Sequence, residues 1–201
     1  MNIVVAMSRG GYFLGRSYAL EPPHYGEVVP MALYVIQVAG GKEGRVVELI
    51  DKFVSEGLVQ ECFIPRYEVM RRYRGEWHKR IETLVPGYLF IECKDVGRVN
   101  EELRRVPAFT RLLGNDDRFI PLTDDEVRWL NAFTDLGDRV VKMSEGVIEG
   151  DKVIVLNGPL MNHEGFISKI DRHRRIAYLD MPMMGRTKTI KVGLEIVAKR
   201  N

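Results

Sequence analysis

Residues 85–90 read VPGYLF, inside the longer stretch KRIETLVPGYLFIECKD (79–95). The run from Tyr88 to Cys93 is apolar enough for a strand buried on both faces. It opens on Pro86-Gly87, a pair that central strands exclude. Proline ends ladder pairing just before the strand, and glycine, lacking a side chain, lets another backbone approach. Side chains alternate along a strand, so Tyr88 and Phe90 share one face. By itself Phe90 reads as core. Tyr88, with an apolar body and a polar tip, is of the type enriched in interface cores.

Outward from this strand the chain divides in two. ALYVIQVAG (32–40) reads as a β-branched and aromatic strand ended by Gly40-Gly41. Val46, Val47, Ile50, Phe53 and Val54 then recur with the spacing of one helical face, and Gly57 stands at a plausible C-terminal stop. Residues 61–93 predict strand, hairpin and strand, with Gly75 near the hairpin tip. A second helix carries Val99, Leu103 and Val106 and stops at Pro107. A third starts at Thr123, whose partner Glu126 completes a capping box, and presents Val127, Leu130 and Phe133. This order predicts an α+β domain over 31–135 with a mostly antiparallel sheet flanked by helices. LGDRVVKMSEG (136–146) reads as a linker. From 147 to 201 the signal is all strand: DKVIVLNG, EGFISKID, RIAYLDMP and TKTIKVG, separated by Gly, Asn and Asp turns, predict a small closed β-barrel.

The 201 residues are 45% hydrophobic and 29% charged, the profile of a soluble globular protein. No apolar run has the length of a membrane span. Cys62 and Cys93 lie far apart without a CxxC partner, which predicts reduced thiols in a cytoplasm. His24, His78, His163 and His173 show no metal-ligand spacing, so no metal is expected. Residues 1–30 hold three prolines and four glycines with no sustained period. They read as a disordered extension, or as one translated only on paper, with Met31 as the true start. Net charge is uneven: residues 147–201 carry ten Lys/Arg against six Asp/Glu, while 31–146 carry 18 against 20. The basic C-terminal unit points to a polyanion or, equally on charge alone, to a solvated surface.

Two basic stretches stand out. RRYRGEWHKR (71–80) sets Arg71, Arg72, Arg74, Lys79 and Arg80 around Tyr73 and Trp77. Cations interleaved with aromatics suit single-stranded nucleic acid, or a soluble hairpin tip. KIDRHRR (169–175) places Lys169, Arg172, His173, Arg174 and Arg175 at a turn, and Arg186, Lys188 and Lys191 follow on later strands. Such a surface holds an RNA stem through its phosphates, or is an ordinary charged turn. No phosphate-binding glycine loop, nucleophile elbow or paired-carboxylate signature is present. Asp124-Asp125-Glu126 sits at a helix start, where the macrodipole explains it. The chain does not read as an enzyme, and no cofactor is expected.

GDKVIVLNGPLMNHEGFISKID (150–171) resembles the KOW motif. YVIQVAGGKE, VPGYLFIE, VPAFTRLLG and PLTDDEV, in that order, resemble the NusG N-terminal domain. Together they span nearly all of 31–200, and the chain resembles a NusG/Spt5-type transcription elongation factor. The resemblance implies that Tyr34, Pro86, Gly87, Tyr88 and Phe90 line a depression that meets the clamp helices of RNA polymerase. It implies that the 71–80 hairpin lies near non-template DNA, and that the KOW domain contacts nascent RNA or a protein partner. Met184 replaces the family's usual aromatic, which contacts a ribosomal protein, so that partner is doubtful here. Lys191 replaces a usually acidic residue. Both departures resemble specialised antiterminators of the LoaP type. The alternatives are the general factor that couples transcription to translation, and a ribosome-associated KOW protein. The expected protein is a cytoplasmic monomer.

Overall fold

The computed structural model describes residues 31–115, 118–135 and 137–200, so the expectations for residues 1–30 lie outside the described residues. The N-terminal part runs β1 (Ala32–Val38), α1 (Glu43–Phe53), β2 (Val59–Phe63), β3 (Arg66–Tyr73), β4 (Glu76–Thr83), β5 (Tyr88–Cys93), α2 (Val96–Leu103), β6 (Thr110–Leu112), β7 (Gly114–Asn115), β8 (Arg118–Phe119) and α3 (Asp124–Phe133). The C-terminal part runs β9 (Val140–Val141), β10 (Ser144–Glu149), β11 (Lys152–Asn157), a short 3-10 turn at Glu164–Phe166, β12 (Ile167–Asp171), β13 (Ile176–Met183) and β14 (Arg186–Arg200). The α+β class predicted from sequence is the class observed.

β5 is central in the antiparallel sheet β2-β5-β1-β6, with Phe90 opposite Val35 and Ile91 opposite Tyr34. Alternation divides its residues cleanly. Leu89, Ile91 and Cys93 share a core with Ile36 and Val38 of β1, and with Val46, Ile50, Val99 and Leu103 of the first two helices. Phe90 points the other way, into a core with Val35, Phe63, Leu130 and Phe133. Both faces are covered, which is why the strand reads as an unbroken apolar run.

The Pro86-Gly87 pair makes the entry turn. Gly87 has φ of 82°, a left-handed conformation that only glycine adopts without strain. Its N–H donates to Glu43 Oε1 at 2.7 Å, and its carbonyl accepts from Val38 N–H at 2.8 Å. The nearest atom to a side chain added there is the Val38 carbonyl oxygen at 3.5 Å, an ordinary contact. Backbone conformation, rather than room for a second backbone, therefore requires this glycine.

α1 buries Val46, Leu49 and Ile50, while Phe53 at its end is exposed. Of the predicted face, Val46, Ile50 and Val54 are buried and Val47 packs against the same core, so Phe53 alone departs from it and Leu49 adds to it. α2 ends at Leu103, and Val106 reaches the same core from the turn beyond it. In α3 the capping box is formed: Thr123 Oγ1 accepts from Glu126 N–H, and Thr123 N–H donates to Glu126 Oε2 at 2.8 Å.

The expected linker is tied down. β9 pairs in parallel with β3, extending the β3–β4 hairpin, and β10 already begins at Ser144. Arg139 ion-pairs with Glu61 and lies 4.3 Å from the Phe63 ring centroid. β10 was not legible because SEGVIE lacks the alternation of its neighbours. The C-terminal domain is a five-stranded sheet ordered β11-β10-β14-β13-β12, in which β10 and β14 are parallel and the other pairs antiparallel.

Candidate functional site

Some of the residues expected from sequence lie along the junction between the two domains, Tyr88 and Phe90 at one end and Trp77 and the 172–175 turn at the other. On one side of it the Phe90 face of the N-terminal sheet shares a core with α3 and with the C-terminal domain. Phe63 and Phe90 stack with centroids 5.6 Å apart. Leu160, Leu179, Met181, Met183 and Ile190 complete the same core from the C-terminal domain. Phe90 is fully buried. Tyr88 is half-buried beside it, where its hydroxyl accepts a bond from Arg186 Nη2 at 3.3 Å. Lys188 Nζ sits 3.9 Å from the centroid of the Tyr88 ring. Filling is incomplete, since a cavity of about 560 Å³ opens beside Val35, Leu122 and Met184.

Tyr34 does not join this group. It packs on the helix side of the sheet with the Ile36–Ile91 core, and burial there pushes its hydroxyl pKa up, with the nearby Cys93 adding to the effect. Pro86 is exposed at the strand entry. The docking set from sequence therefore separates into Tyr88 and Phe90 on one face, Tyr34 on the other, and the Pro86-Gly87 turn at the edge.

Polar contacts latch the junction. Glu68 Oε2 accepts from Lys79 Nζ at 3.2 Å and from Met143 N–H at 3.1 Å. Burial raises its pKa, but these two bonds outweigh that and hold the carboxyl below its usual range. Glu126 accepts from Met184 N–H with the oxygen not used in its capping box. Gly193 of β14 lies against the Glu68 backbone so closely that an added Cβ would collide with the Glu68 carbonyl oxygen. Of these junction residues, Glu68, Met143 and Gly193 were missed from sequence, and the bond between Glu126 and Met184 was not foreseen. The one signal was an acid, Glu68, set between Tyr67 and Val69 in an otherwise burying strand.

The second side of the junction is basic. The β3–β4 hairpin turns through Arg74 and Gly75, both with positive φ, and its Arg72 pairs across the ladder with Trp77. The β12–β13 turn carries Arg172, His173, Arg174 and Arg175. Together these elements line a cleft of about 490 Å³, with Arg71, Arg72 and Trp77 on one wall and residues 172–175 on the other. Arg175 bridges the walls: its guanidinium lies 4.3 Å from the Trp77 ring centroid and pairs with Glu195 at 2.9 Å. Arg71 is committed to Glu82, which it grips through two bonds of 2.6 Å while Tyr67 donates a third. The Arg71 bonds hold the Glu82 carboxyl below its usual range.

The remaining cations are dispersed. Arg74 lies over Tyr73, Lys79 is held by Glu68, and Arg80 is exposed on the hairpin. Lys169 and Lys191 flank the Tyr178 ring at 5.7 and 5.9 Å. Arg186 and Lys188 face Tyr88. The basic residues expected to form one RNA-binding surface thus lie in three places. Both cysteines are free thiols; burial and neighbouring acids push Cys62 up to about 12 and Cys93 up to about 11. Among the described residues no cluster of His, Cys, Asp and Glu is arranged to hold a metal, and no helix is long and apolar enough to cross a membrane.

The architecture defines a two-part molecule, an α+β domain with an aromatic sheet face and a small basic β domain that shares the core on that face. The family model described as "Transcription termination factor nusG" matches residues 31–131, and the chain belongs to the NusG family. A relative named "Transcription termination/antitermination protein NusG" from Buchnera aphidicola is 27% identical over 177 residues, covering 83% of this chain and 94% of its own. The protein of the same name from Thermus thermophilus is 27% identical over 179 residues, covering 83% and 97%. A solved structure described as "Domain interaction in Thermotoga maritima NusG" aligns with a TM-score of 0.49 at 22% identity, covering 83% of this chain and 94% of that one.

Proposed function

We propose that this chain is a transcription elongation factor that binds RNA polymerase through the Tyr88–Phe90 face of its N-terminal domain and promotes processive antitermination, its KOW domain contacting RNA. Tyr88 and Phe90 present aromatic surface on a rigid central strand, of the kind that anchors interfaces. The observation that carries the reading is that this face shares its core with residues of the C-terminal domain, Leu160, Met181 and Met183 among them, as well as with Leu130 and Phe133 of α3. Clamp helices and the C-terminal domain would compete for it, so polymerase docking requires the cover to move aside. The family membership and the names of the relatives support a role in termination or antitermination.

The test is binding of RNA polymerase by the full chain and by Tyr88→Ala, with the fold checked by circular dichroism. Truncating an interface anchor weakens binding by about 1–3 kcal/mol. A folded variant that binds as tightly as wild type excludes Tyr88 from the docking face. Transcription through a terminator, with and without a structured leader, separates the specialised role from the general one. The relatives' names favour the general factor as the second reading. Against ribosomal coupling stands Met184, whose backbone N–H is turned into the domain junction by its bond to Glu126.

A further inference from the structure

The two basic stretches lie far apart in sequence, yet they form opposite walls of one cleft. We propose that Arg72, Trp77, Arg172 and Arg174 form a single composite site for one strand of nucleic acid, built jointly by the two domains and complete only while they are docked. The inference rests on the RNA-contacting part of the proposed function, and it concerns the closed molecule, before polymerase docking parts the domains. Charge pairing decides which cations do the binding. Arg71 is neutralised by Glu82 and Arg175 by Glu195. Arg72 is exposed and bonds the Gly75 carbonyl, with no carboxylate partner among the described residues, while Arg174 touches Asp171 loosely at 3.7 Å. Arg172 is exposed and has no carboxylate partner among the described residues. Three cations on two walls are thus left for phosphates.

The cleft also supplies flat groups. The Trp77 ring is partly exposed, and the Arg175 guanidinium that lies against it is held by Glu195. Unpaired bases stack on aromatic rings and on guanidinium planes. A recess of this size admits a base or two from a single strand, whereas a duplex keeps its bases paired and stacked within the helix. The walls stay in register because β14 runs against β3 at Gly193, where no side chain fits. Separating the domains would leave Arg72 and Trp77 on one body and Arg172 and Arg174 on the other.

The experiment titrates the full chain with a fluorescent single-stranded RNA of about ten nucleotides, the same sequence as DNA, and a paired RNA hairpin, each at several salt concentrations. The variants are Arg72→Ala on one wall, Arg172→Ala on the other, Trp77→Ala between them, and Gly193→Ala at the contact. Each arginine variant should weaken single-strand binding several-fold and lower the log–log salt slope by about one. Trp77→Ala should cost about tenfold. Gly193→Ala should reduce binding without removing any cation; if it fails to fold, the two arginine variants decide. A preference for RNA or DNA identifies the source of the strand. The proposal is overturned if only one wall's variants matter, if the hairpin binds as well as the single strand, or if binding is independent of salt. Polymerase binding by the Arg72 and Arg172 variants should match wild type, so failure here is distinct from failure of the clamp reading.

Discussion

The same two domains meet along two seams of opposite character. At Phe90 the junction is apolar, with aromatic and aliphatic groups from both domains sharing one core. At Trp77 it is open and basic, and a single guanidinium bridges it. In the proposed function the apolar seam serves a polymerase only when it opens, and in the proposed composite site the basic cleft serves a nucleic acid strand only while it is closed. By linkage, a strand that spans the cleft must weaken polymerase docking by the same factor by which polymerase weakens strand binding.

The largest effect expected comes from breaking the apolar seam. Phe90→Ala should destabilise the chain by about 3–5 kcal/mol, and Leu89→Ala on the helix side by about 2–5 kcal/mol. Denaturant titration measures both. The two should differ in kind: Phe90→Ala should also release the C-terminal domain and expose residues 137–143 to protease, while Leu89→Ala should leave that segment protected. Equal protection in both variants would mean that the seam does not depend on Phe90.

Acid should act next, and differently on the two regions. Burial raises the Glu43 pKa, but bonds from the backbone N–H groups of Gly87, Glu43 and Gly41 hold it below the usual range. Glu68 at the junction is lowered in the same direction. A depressed folded-state pKa means that the unfolded chain binds more protons, so stability rises with pH across the interval. The contribution is complete above the unfolded value of about 4.3 and is lost as pH falls through the folded value. Glu43→Gln, which keeps an acceptor for Gly87, should cost about 1 kcal/mol near neutrality and flatten the acid limb of the stability curve. Glu68→Gln should flatten it too, and loosen the junction. An acid limb identical to wild type in both variants would remove these carboxyls as its cause.

What the sequence could and could not disclose follows the range of the interactions. The β5 strand, its entry at Pro86-Gly87 and the Thr123–Glu126 capping box depend on neighbours a few residues away, and they stand where periodicity and capping chemistry put them. The parallel pairing of β9 with β3 joins residues some seventy positions apart, and VVKM carries no mark of it. Side-chain alternation was enough to set Tyr88 beside Phe90. It could not set Tyr34, whose face depends on its register with Ile91. The resemblance grouped residues by function without regard to which side of the sheet they occupy. Likewise the cations of the C-terminal domain were counted as one surface, although strand order sends Arg186 and Lys188 to Tyr88 and the 172–175 turn to Trp77.

The smallest effect lies where the two seams resemble each other, in a cation placed over an aromatic ring. Lys188 on Tyr88 is the counterpart at the apolar seam of Arg175 on Trp77. A double-mutant cycle of Lys188→Ala and Tyr88→Ala should return a coupling of about 0.5–1 kcal/mol in stability, the size of a partly exposed cation–π contact. Tyr88→Phe isolates the remainder: it keeps the ring, loses only the long bond to Arg186, and should change stability by less. The two single variants should act in opposite directions on polymerase. Tyr88→Ala removes an anchor that docking itself needs, whereas Lys188→Ala weakens only the cover and should strengthen polymerase binding by up to about fivefold. If both weaken polymerase binding, Lys188 belongs to the docking face and not to its cover. If the coupling is zero, the latch rests on the apolar core and the Glu68 and Glu126 bonds alone.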